Sequence, residues 1–307
     1  MFSFLLSRII SFLIVVLGVV TLVFSLIHIV PGDPIQVILG ESATIADQQA
    51  LRNTLGLDKP LFEQWYSYLF QVVQGDLGTS LLSKESIVDM LWQRIPATIE
   101  LALAGLLVAI LIALPLGCLA AIRQNTFYDQ GAMLFSLLGV SIPNFWLGPL
   151  FILLFSVTLG WLPISGRESW QSLILPALTL GTALAAILAR MIRATVLEIL
   201  HEDYIRTARA KGLSESNVII HHALRNAALP IITILGLQLG ALLAGAVITE
   251  TIFAWPGIGQ LTIEAIQKRD YSVIQACVLL ISLTYVIVNT FTDILYAWLD
   301  PRVRYRV

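Results

Sequence analysis

The stretch ATIELALAGLLVAILIALPLGCLAAI, residues 97–122, decides the fold of this chain. Its only charged residue is Glu100, close to one end. A helix needs about 20 predominantly apolar residues to cross roughly 30 Å of hydrocarbon, and this stretch is longer than that. We therefore predict that it forms a membrane-spanning helix.

Five more apolar blocks occur along the chain. In order, the six blocks are residues 9–30, 97–122, 132–159, 173–189, 229–254 and 273–299. The third is longer than one span requires and contains Pro143 and Pro149, so we expect it to be kinked or divided. The fourth is short, and Arg190 can extend it by carrying its charge to the membrane surface. The sequence thus predicts an all-α integral membrane protein with six transmembrane helices.

The composition agrees with a membrane protein. Hydrophobic residues make up 57% of the chain and charged residues only 12%, so it cannot present an ordinary water-soluble surface. The net charge of −2 is too small to indicate a nucleic-acid partner. Cys118 and Cys277 both fall in apolar blocks, so we interpret them as packing residues and predict no disulfide framework or metal site.

The first block resembles a secretory signal in one respect, because Arg8 precedes it. It is longer than an ordinary signal core, however, and no A-x-A-like cleavage site follows it. We interpret residues 1–30 as the N-terminus and a retained first span. Residues 31–96 then form a loop region on one side of the membrane, and residues 97–307 form a core of five helices.

The basic residues predict the orientation. If six spans alternate, 11 of the 18 Lys and Arg residues fall on one side and 7 on the other. Four of those seven lie in the 31–96 loop, and loops beyond about 60 residues cross the membrane largely regardless of charge. Without this loop, one side of the membrane has 11 Lys and Arg residues and the other side has 3. We expect both termini and the segment 190–228 to be cytoplasmic, and the 31–96 loop to lie outside.

The outside loop has its own predicted structure. Residues 61–70 are expected to be helical between turns rich in Gly and Pro. Trp65, Tyr66 and Tyr68 suit either the headgroup level of a membrane or a docking surface. The simplest interpretation is a small packed cap on the spans, and direct contact with a substrate is the alternative.

The segment 193–228 is a polar, basic region between the fourth and fifth blocks. Its first residues continue the fourth span as a helix with an apolar stripe. Residues 203–211 form a second predicted helix, for which Asp203 is a suitable N-cap. Gly212 then permits a sharp turn, because it lacks a Cβ atom.

A further helical piece follows this turn. The hydroxyl of Ser214 can cap it, and Pro230 is expected to end it at the start of the fifth span. Small residues at Ala208 and Ala210 allow another chain to approach closely. A solvated loop that binds anionic lipid is one interpretation, but two capped pieces hinged on a glycine favour a docking element for a partner.

None of the catalytic motifs that the sequence suggests is complete. His201-Glu202 begins a zinc-protease motif, but Ile205 occupies the place of the second histidine. Ser165 is not framed as G-x-S-x-G, and no P-loop or dinucleotide-binding glycine pattern is present. An intramembrane enzyme would need a paired nucleophile and base or a metal site at mid-membrane depth, and none is visible. A passive channel is a third possibility, but it would not need the basic docking element.

Three polar residues inside the apolar blocks are candidates for a translocation pathway. They are Asn144, Gln238 and Asn289, and Gln238 is nearest the middle of its block. Polar groups are costly in hydrocarbon and tend to face a bundle interior or a watery cavity. Each could equally form an interhelical hydrogen bond, so the sequence leaves both interpretations open. Gly236 and Gly240 have the G-x-x-x-G spacing that lets helices approach closely.

Eight short stretches, spread along nearly the whole chain, resemble one family of membrane proteins. They are Pro31-Gly-Asp-Pro34, Leu55-Gly-Leu-Asp58, Gly75-Asp-Leu-Gly78, Pro96-Ala-Thr98, Ala208-Arg-Ala-Lys-Gly212, Leu224-Arg-Asn226, Trp255-Pro-Gly-Ile-Gly259 and Asp300-Pro-Arg302. In this order they are similar to the permease subunits of binding-protein-dependent ABC importers, in the branch for dipeptides, oligopeptides, glutathione and nickel. The general EAA pattern of that family has Glu where this chain has Arg206, and the longer distance from Gly212 to Pro230 is similar to the peptide and nickel branch.

The resemblance implies a type I ABC importer permease fold in the bacterial inner membrane. It implies a second, similar permease, two cytoplasmic ATPases that use ATP and Mg, and an extracytoplasmic solute-binding protein, with no catalytic group or cofactor in this chain. The segment 193–228 would be the EAA-type loop that rests on one ATPase. Its expected contact residues are Asp203, Tyr204, Arg206, Ala208, Arg209 and Gly212. The substrate is expected to be a dipeptide or short peptide, with glutathione, nickel and nickel chelates as alternatives.

Overall fold

The computed structural model describes residues 2–29, 35, 44–54 and 56–299. Over this part of the chain the structure is helical, apart from loops and one isolated bridge between Thr79 and Ser86. The helices are α1 Phe2–Ile29, α2 Ile45–Thr54, α3 Leu61–Gln74, α4 Ile87–Ile122, α5 Phe127–Ser141, α6 Asn144–Phe151, α7 Ile174–Leu200, α8 Asp203–Ala210, α9 Glu215–Asn217, α10 Leu224–Ile252, α11 Ile258–Lys268 and α12 Tyr271–Leu299. The predicted all-α fold is confirmed.

The apolar blocks correspond to helices that can cross a membrane. Four stretches are long and apolar enough by themselves: Arg8–Leu26, Ile87–Ile122, Trp170–Leu200 and Tyr271–Thr292. Two bent helix pairs, Phe127–Ser141 with Asn144–Thr158 and Glu215–Ala228 with Pro230–Gly240, raise the number to six if each pair is one span. The third and fifth predicted spans are therefore the bent ones.

The third apolar block is divided, as its prolines predict. α5 ends at Ser141, α6 begins at Asn144, and the two are bent by 105°. Ile142 and Pro143 between them have extended backbone, which interrupts the helical hydrogen bonds. Pro149 lies inside α6, and a π-helical turn, Ile152–Thr158, continues the chain beyond it.

Two spans extend beyond their apolar blocks, one of them as the sequence predicts. α4 begins at Ile87, so Pro96 lies inside the helix and does not mark its start. A proline there leaves the carbonyl of Trp92 without its helical donor, and the large exposed fraction of Trp92 lets water or headgroups reach that region. α7 runs to Leu200, which confirms that the first residues of the segment 193–228 continue the fourth span as a helix, and Arg190 is an exposed residue inside it.

The predicted outside loop is also largely helical where it is described. It contains α2, α3 and the first residues of α4, and α3 confirms the helix predicted over residues 61–70. The motif at residues 31–34 and the C-terminal motif at residues 300–302 lie outside the described residues.

The described chain divides into two compact units. One comprises residues 98–255 and 287–299, and the other comprises residues 2–97 and 256–286 within the described ranges. In the first unit α7 is the central helix and packs against α5 and α10. A Cβ atom on Gly117 would lie 2.7 Å from the carbonyl oxygen of Ala189, and one on Gly139 would lie 2.6 Å from the Cβ of Ala186. Glycine at these positions lets α4 and α5 approach α7 closely.

The second unit has its own buried core. Its members come from α4, α11 and α12: Ile87, Leu91, Ile258, Leu261, Ala265, Val273, Ala276 and Cys277. Asp270, buried between α11 and α12, accepts a 2.5 Å hydrogen bond from the Ser80 hydroxyl and a 3.3 Å bond from the backbone N–H of Leu81. It also caps α12 through the N–H of Val273. This carboxylate therefore ties the loop before α4 to the start of the last helix.

Candidate functional site

The segment 193–228 folds as the sequence predicts, with two differences at the helix starts. α8 runs over Asp203–Ala210, but Glu202 is its N-cap and Asp203 is its first helical residue. An acidic residue in the first turn still interacts favourably with the helix dipole, so Asp203 helps the helix without capping it. Ser214 does stand at the N-cap of α9, but its hydroxyl makes no capping hydrogen bond. Pro230 does not end a helix, because α10 continues through it, but the chain bends by 49° between Glu215–Ala228 and Pro230–Gly240.

Gly212 forms the turn after α8. Its φ is +80°, a left-handed conformation that side chains with a Cβ rarely adopt. The N–H of Gly212 donates to the carbonyl of Arg209 at 2.9 Å, and that of Leu213 donates to Ala208 at 3.4 Å. The predicted hinge is therefore a specific backbone geometry, and nothing lies within 4 Å of where a Cβ would stand.

α8 is buried on one face and exposed to solvent on the other. Ile205 and Ala208 are buried against Val218 and Ala223, which lie in the π-helical turn before α10. The remaining predicted contact residues, Asp203, Tyr204, Arg206, Arg209 and Gly212, are exposed. The structure thus divides the predicted set into one packing residue, Ala208, and five that are available to a partner.

Polar contacts fix the exposed side of α8 to the piece that follows it. The Arg209 guanidinium donates two hydrogen bonds to Glu215, from Nε at 3.1 Å and from Nη2 at 2.5 Å. This hydrogen-bonded arginine lowers the pKa of Glu215 below its ordinary value. Asn226 donates to the Tyr204 hydroxyl at 2.9 Å. Arg206 pairs only loosely with Asp203, at 3.5 Å and with both side chains exposed.

A buried ion pair at the start of this segment was not expected from the sequence. Arg193 in α7 donates to both carboxylate oxygens of Asp129 in α5, at 2.5 Å and 2.7 Å. The backbone N–H of Asn125 donates to the same carboxylate at 2.9 Å. The Asp129 side chain is 5% exposed and that of Arg193 is 23% exposed. The pair therefore attaches the helix that leads into the segment to the neighbouring helix α5.

A second group of polar contacts joins α4, the loop before α7 and the end of α10. Arg167 donates two hydrogen bonds to Glu100, and its guanidinium lies 5.7 Å from the ring centre of Trp255. Thr98 donates to the fully buried Glu250 at 2.7 Å. Residues 98–100 of α4, the loop before α7 and the end of α10 thus meet near the N-terminus of α7. Asp129 and Arg193 meet near its C-terminus.

The three predicted pathway residues are half-buried in separate helices. Asn144 begins α6, Gln238 lies in α10 and Asn289 lies in α12. No hydrogen bond between them occurs in the structure, so it does not bring them together as one site. The Oδ1 atom of Asn144 is buried and has no hydrogen-bond partner. Close approach at Gly236 is confirmed, because a Cβ there would collide with the side chain of Thr292.

Among the residues that the structure describes, no cluster of three or more His, Cys, Asp or Glu side chains is arranged to bind an ion. His201 instead contacts the carbonyl of Leu197 at 2.7 Å through Nδ1.

Comparison with known proteins gives consistent matches over the whole chain. A family model described as "Binding-protein-dependent transport system inner membrane component" matches residues 113–305, and the corresponding N-terminal model matches residues 1–102. The chain is 42% identical over 306 residues to the "Glutathione transport system permease protein GsiC" of Escherichia coli K12. The proteins of the same name from Shigella dysenteriae serotype 1 and Salmonella choleraesuis show the same identity, and each alignment covers 100% of both chains.

Proposed function

The chain belongs to the family of inner membrane components of binding-protein-dependent transport systems, and we propose that it forms half of a translocation pathway for short peptides. It is a multi-pass permease subunit of an ABC importer, and such a system works with a solute-binding protein and ATPase subunits. The observation that carries the proposal is the full-length similarity to permeases, at 42% identity, together with the exposed segment on α8.

We propose that a second, similar permease completes the pathway and that two cytoplasmic ATPases drive it. ATP and Mg would be bound by those ATPases, and this chain would bind no cofactor of its own. Both termini and the segment 193–228 would be cytoplasmic, which the 11 to 3 division of basic residues supports.

The exposed face of α8 would rest on one ATPase. Its buried face, Ile205 and Ala208, packs on the start of α10, and Arg193 attaches α7 to Asp129 of α5. A displacement of α8 would therefore be transmitted to three helices of the bundle. ATP-dependent closure of the ATPases would bias the bundle between inward-facing and outward-facing states through contacts that differ between them.

The transported substrate is proposed to be a short peptide. Relatives named for glutathione transport are similar over their entire length, and glutathione is a γ-linked tripeptide, so this compound is the first to test. Asn144, Gln238 and Asn289 remain the proposed polar residues of the pathway, and the unpaired amide oxygen of Asn144 makes it the first choice for mutation. Nickel or a nickel chelate is the alternative substrate.

Transport by the assembled system in proteoliposomes tests the substrate. We expect ATP-dependent uptake of labelled glutathione that unlabelled di- and tripeptides reduce when the cognate binding protein is present. Asn144→Ala should lower the uptake rate without preventing assembly. Uptake of nickel alone, or no uptake of any peptide, would contradict the proposed substrate.

A pair of matched glycine variants tests the coupling segment. Gly212 and Gly75 have nearly the same φ, +80° and +78°, and a Cβ on either meets nothing within 4 Å. Valine strains both turns alike, by about 1–2 kcal/mol. We expect Gly212→Val to weaken retention of the ATPase in affinity purification and Gly75→Val to retain it. Equal retention by the two variants would contradict the position of the ATPase contact.

A further inference from the structure

Helix α3 has an apolar stripe that no other described part of the chain covers. Phe62, Tyr66, Phe70 and Val73 are all more than half exposed, and Val73 reaches 77%. With 3.6 residues per turn, each residue advances the helix by about 100°, which places these four side chains within an arc of about 80°. They therefore form one continuous surface along the helix.

The arc next to this stripe packs on α1. The indole N–H of Trp65 donates to the Thr21 hydroxyl at 3.1 Å. The rings of Tyr68 and Phe24 lie 5.9 Å apart, and Leu69 packs in the same apolar cluster. The uncovered stripe is therefore continuous with the face by which α3 contacts a membrane-spanning helix.

The remaining arc of α3 is polar. It consists of Glu63, Ser67, Gln71 and Gln74. The first three of these line a cavity of about 530 Å³ together with polar residues such as His28. A helix with a broad apolar face and a separate polar face is suited to lie in a membrane interface, with the polar face toward water.

Contacts of Trp65 and Gln64 with α1 together set the depth of α3. Thr21 lies inside the apolar stretch Arg8–Leu26, five residues before its end. At 1.5 Å per residue this is about 7.5 Å along the helix axis. Gln64, next to Trp65 on α3, contacts the ring of His28 at 3.2 Å, two residues beyond that end. α3 therefore crosses α1 between the levels of Thr21 and His28, close to the end of the apolar stretch. Leu22 follows Thr21 on α1 and is 70% exposed.

We propose that α3 is embedded in the membrane interface and that its uncovered stripe binds the acyl chains of phospholipids. The stripe contains no charged residue, and α3 crosses α1 close to the end of its apolar stretch, where the acyl chains begin. A solute-binding protein approaches from water and would meet the polar arc of the helix first. The leaflet is the one that receives the C-terminal half of α1, and under the proposed orientation this is the outer leaflet.

Electron paramagnetic resonance of the assembled transporter in phospholipid nanodiscs tests the proposal. Nitroxide labels would be attached after Phe70→Cys, Ser67→Cys or Leu22→Cys in a chain that carries Cys118→Ala and Cys277→Ala. We expect the label at Phe70 to collide with oxygen several-fold more than with a water-soluble nickel complex, as the label at Leu22 does. The label at Ser67, on the polar arc, should show the opposite preference.

Two results would overturn the proposal. One is a label at Phe70 that meets the nickel complex as readily as the label at Ser67, which would mean that the stripe faces water. The other is a label protected from both reagents, which would mean that a protein subunit covers the stripe. Val73→Cys gives the same readout on the same stripe if the variant at Phe70 fails to assemble. Because neither the ATPase contact nor transport enters the measurement, its failure is distinguishable from failure of the proposed function.

Discussion

Removing Arg193 should destabilise the protein more than removing its partner Asp129. Arg193→Ala leaves a carboxylate whose side chain is only 5% exposed, with one backbone N–H from Asn125 as its remaining donor. Breaking a buried pair in this way costs about 3–5 kcal/mol, and the residual hydrogen bond places the expected cost near 3 kcal/mol. Asp129→Ala leaves a guanidinium that is 23% exposed and can reach water, so we expect about 2 kcal/mol.

A double-mutant cycle separates this interaction from the loss of each side chain. The double variant leaves no unpaired charge, so its cost should be lower than the sum of the single costs by about 2 kcal/mol. Arg190→Ala provides the matched control, because Arg190 is exposed one turn earlier on α7, and its effect should remain within about 0.5 kcal/mol.

Reversible unfolding in mixed lipid and detergent micelles, followed by loss of helicity, measures these free energies. Single-variant costs that simply add in the double variant would refute the account of a coupled buried pair. A cost for Arg193→Ala equal to that of the Arg190 control would refute it as well. In the assembled transporter we further expect Arg193→Ala to lower the amount of substrate transported per ATP hydrolysed. Without the ion pair, a displacement of α7 would no longer be transmitted to α5.

Two smaller predictions concern stability. The pKa of Glu215 is lowered by Arg209, so their contact stabilises the fold above the unfolded-state pKa and is lost as pH falls through the folded-state value. Because both side chains are about half exposed, Glu215→Gln should lower the free energy of unfolding by less than about 0.5 kcal/mol at neutral pH. A larger decrease in the same unfolding assay would contradict this prediction. Gly236→Ala should cost about 1–3 kcal/mol through collision with Thr292. Gly131→Ala, on an open helix surface, should be neutral or stabilising, and equal effects would argue against that packing.

The membrane-spanning helices are largely predictable from the sequence. The thickness of the hydrocarbon layer sets how many apolar residues a span needs. An uninterrupted apolar run of that length can form few structures other than a membrane-spanning helix. Pro143 predicted the break in the third span, but Pro96 did not mark the start of α4, since proline inside a helix is tolerated where water or other donors reach the freed carbonyl. The same residue type therefore interrupts a helix in one place and is accommodated inside a helix in another.

The segment on α8 is predictable in outline but not in its contacts. Gly212 predicts a turn, because glycine adopts a positive φ more readily than other residues. The structure has a turn at Gly212, with a positive φ. The burial of Ala208 depends on packing against Val218 and Ala223, which local sequence does not reveal. The pair of Asp129 with Arg193 joins residues far apart in the chain. An acidic residue close to an apolar block is a signal that a partner must exist, although not which one.

Crosslinking from the exposed face of α8 tests the central claim most directly. A single cysteine would be introduced by Arg206→Cys or, as the control, by Ser67→Cys in a chain without Cys118 and Cys277. The Arg206 side chain is 73% exposed. The account predicts that a short thiol-to-amine crosslinker joins position 206 to an ATPase subunit, and that position 67 reacts only with impermeant reagents added from outside the cell. Labelling of position 206 from outside, or a crosslink to the ATPase from position 67 and not from 206, would contradict the account.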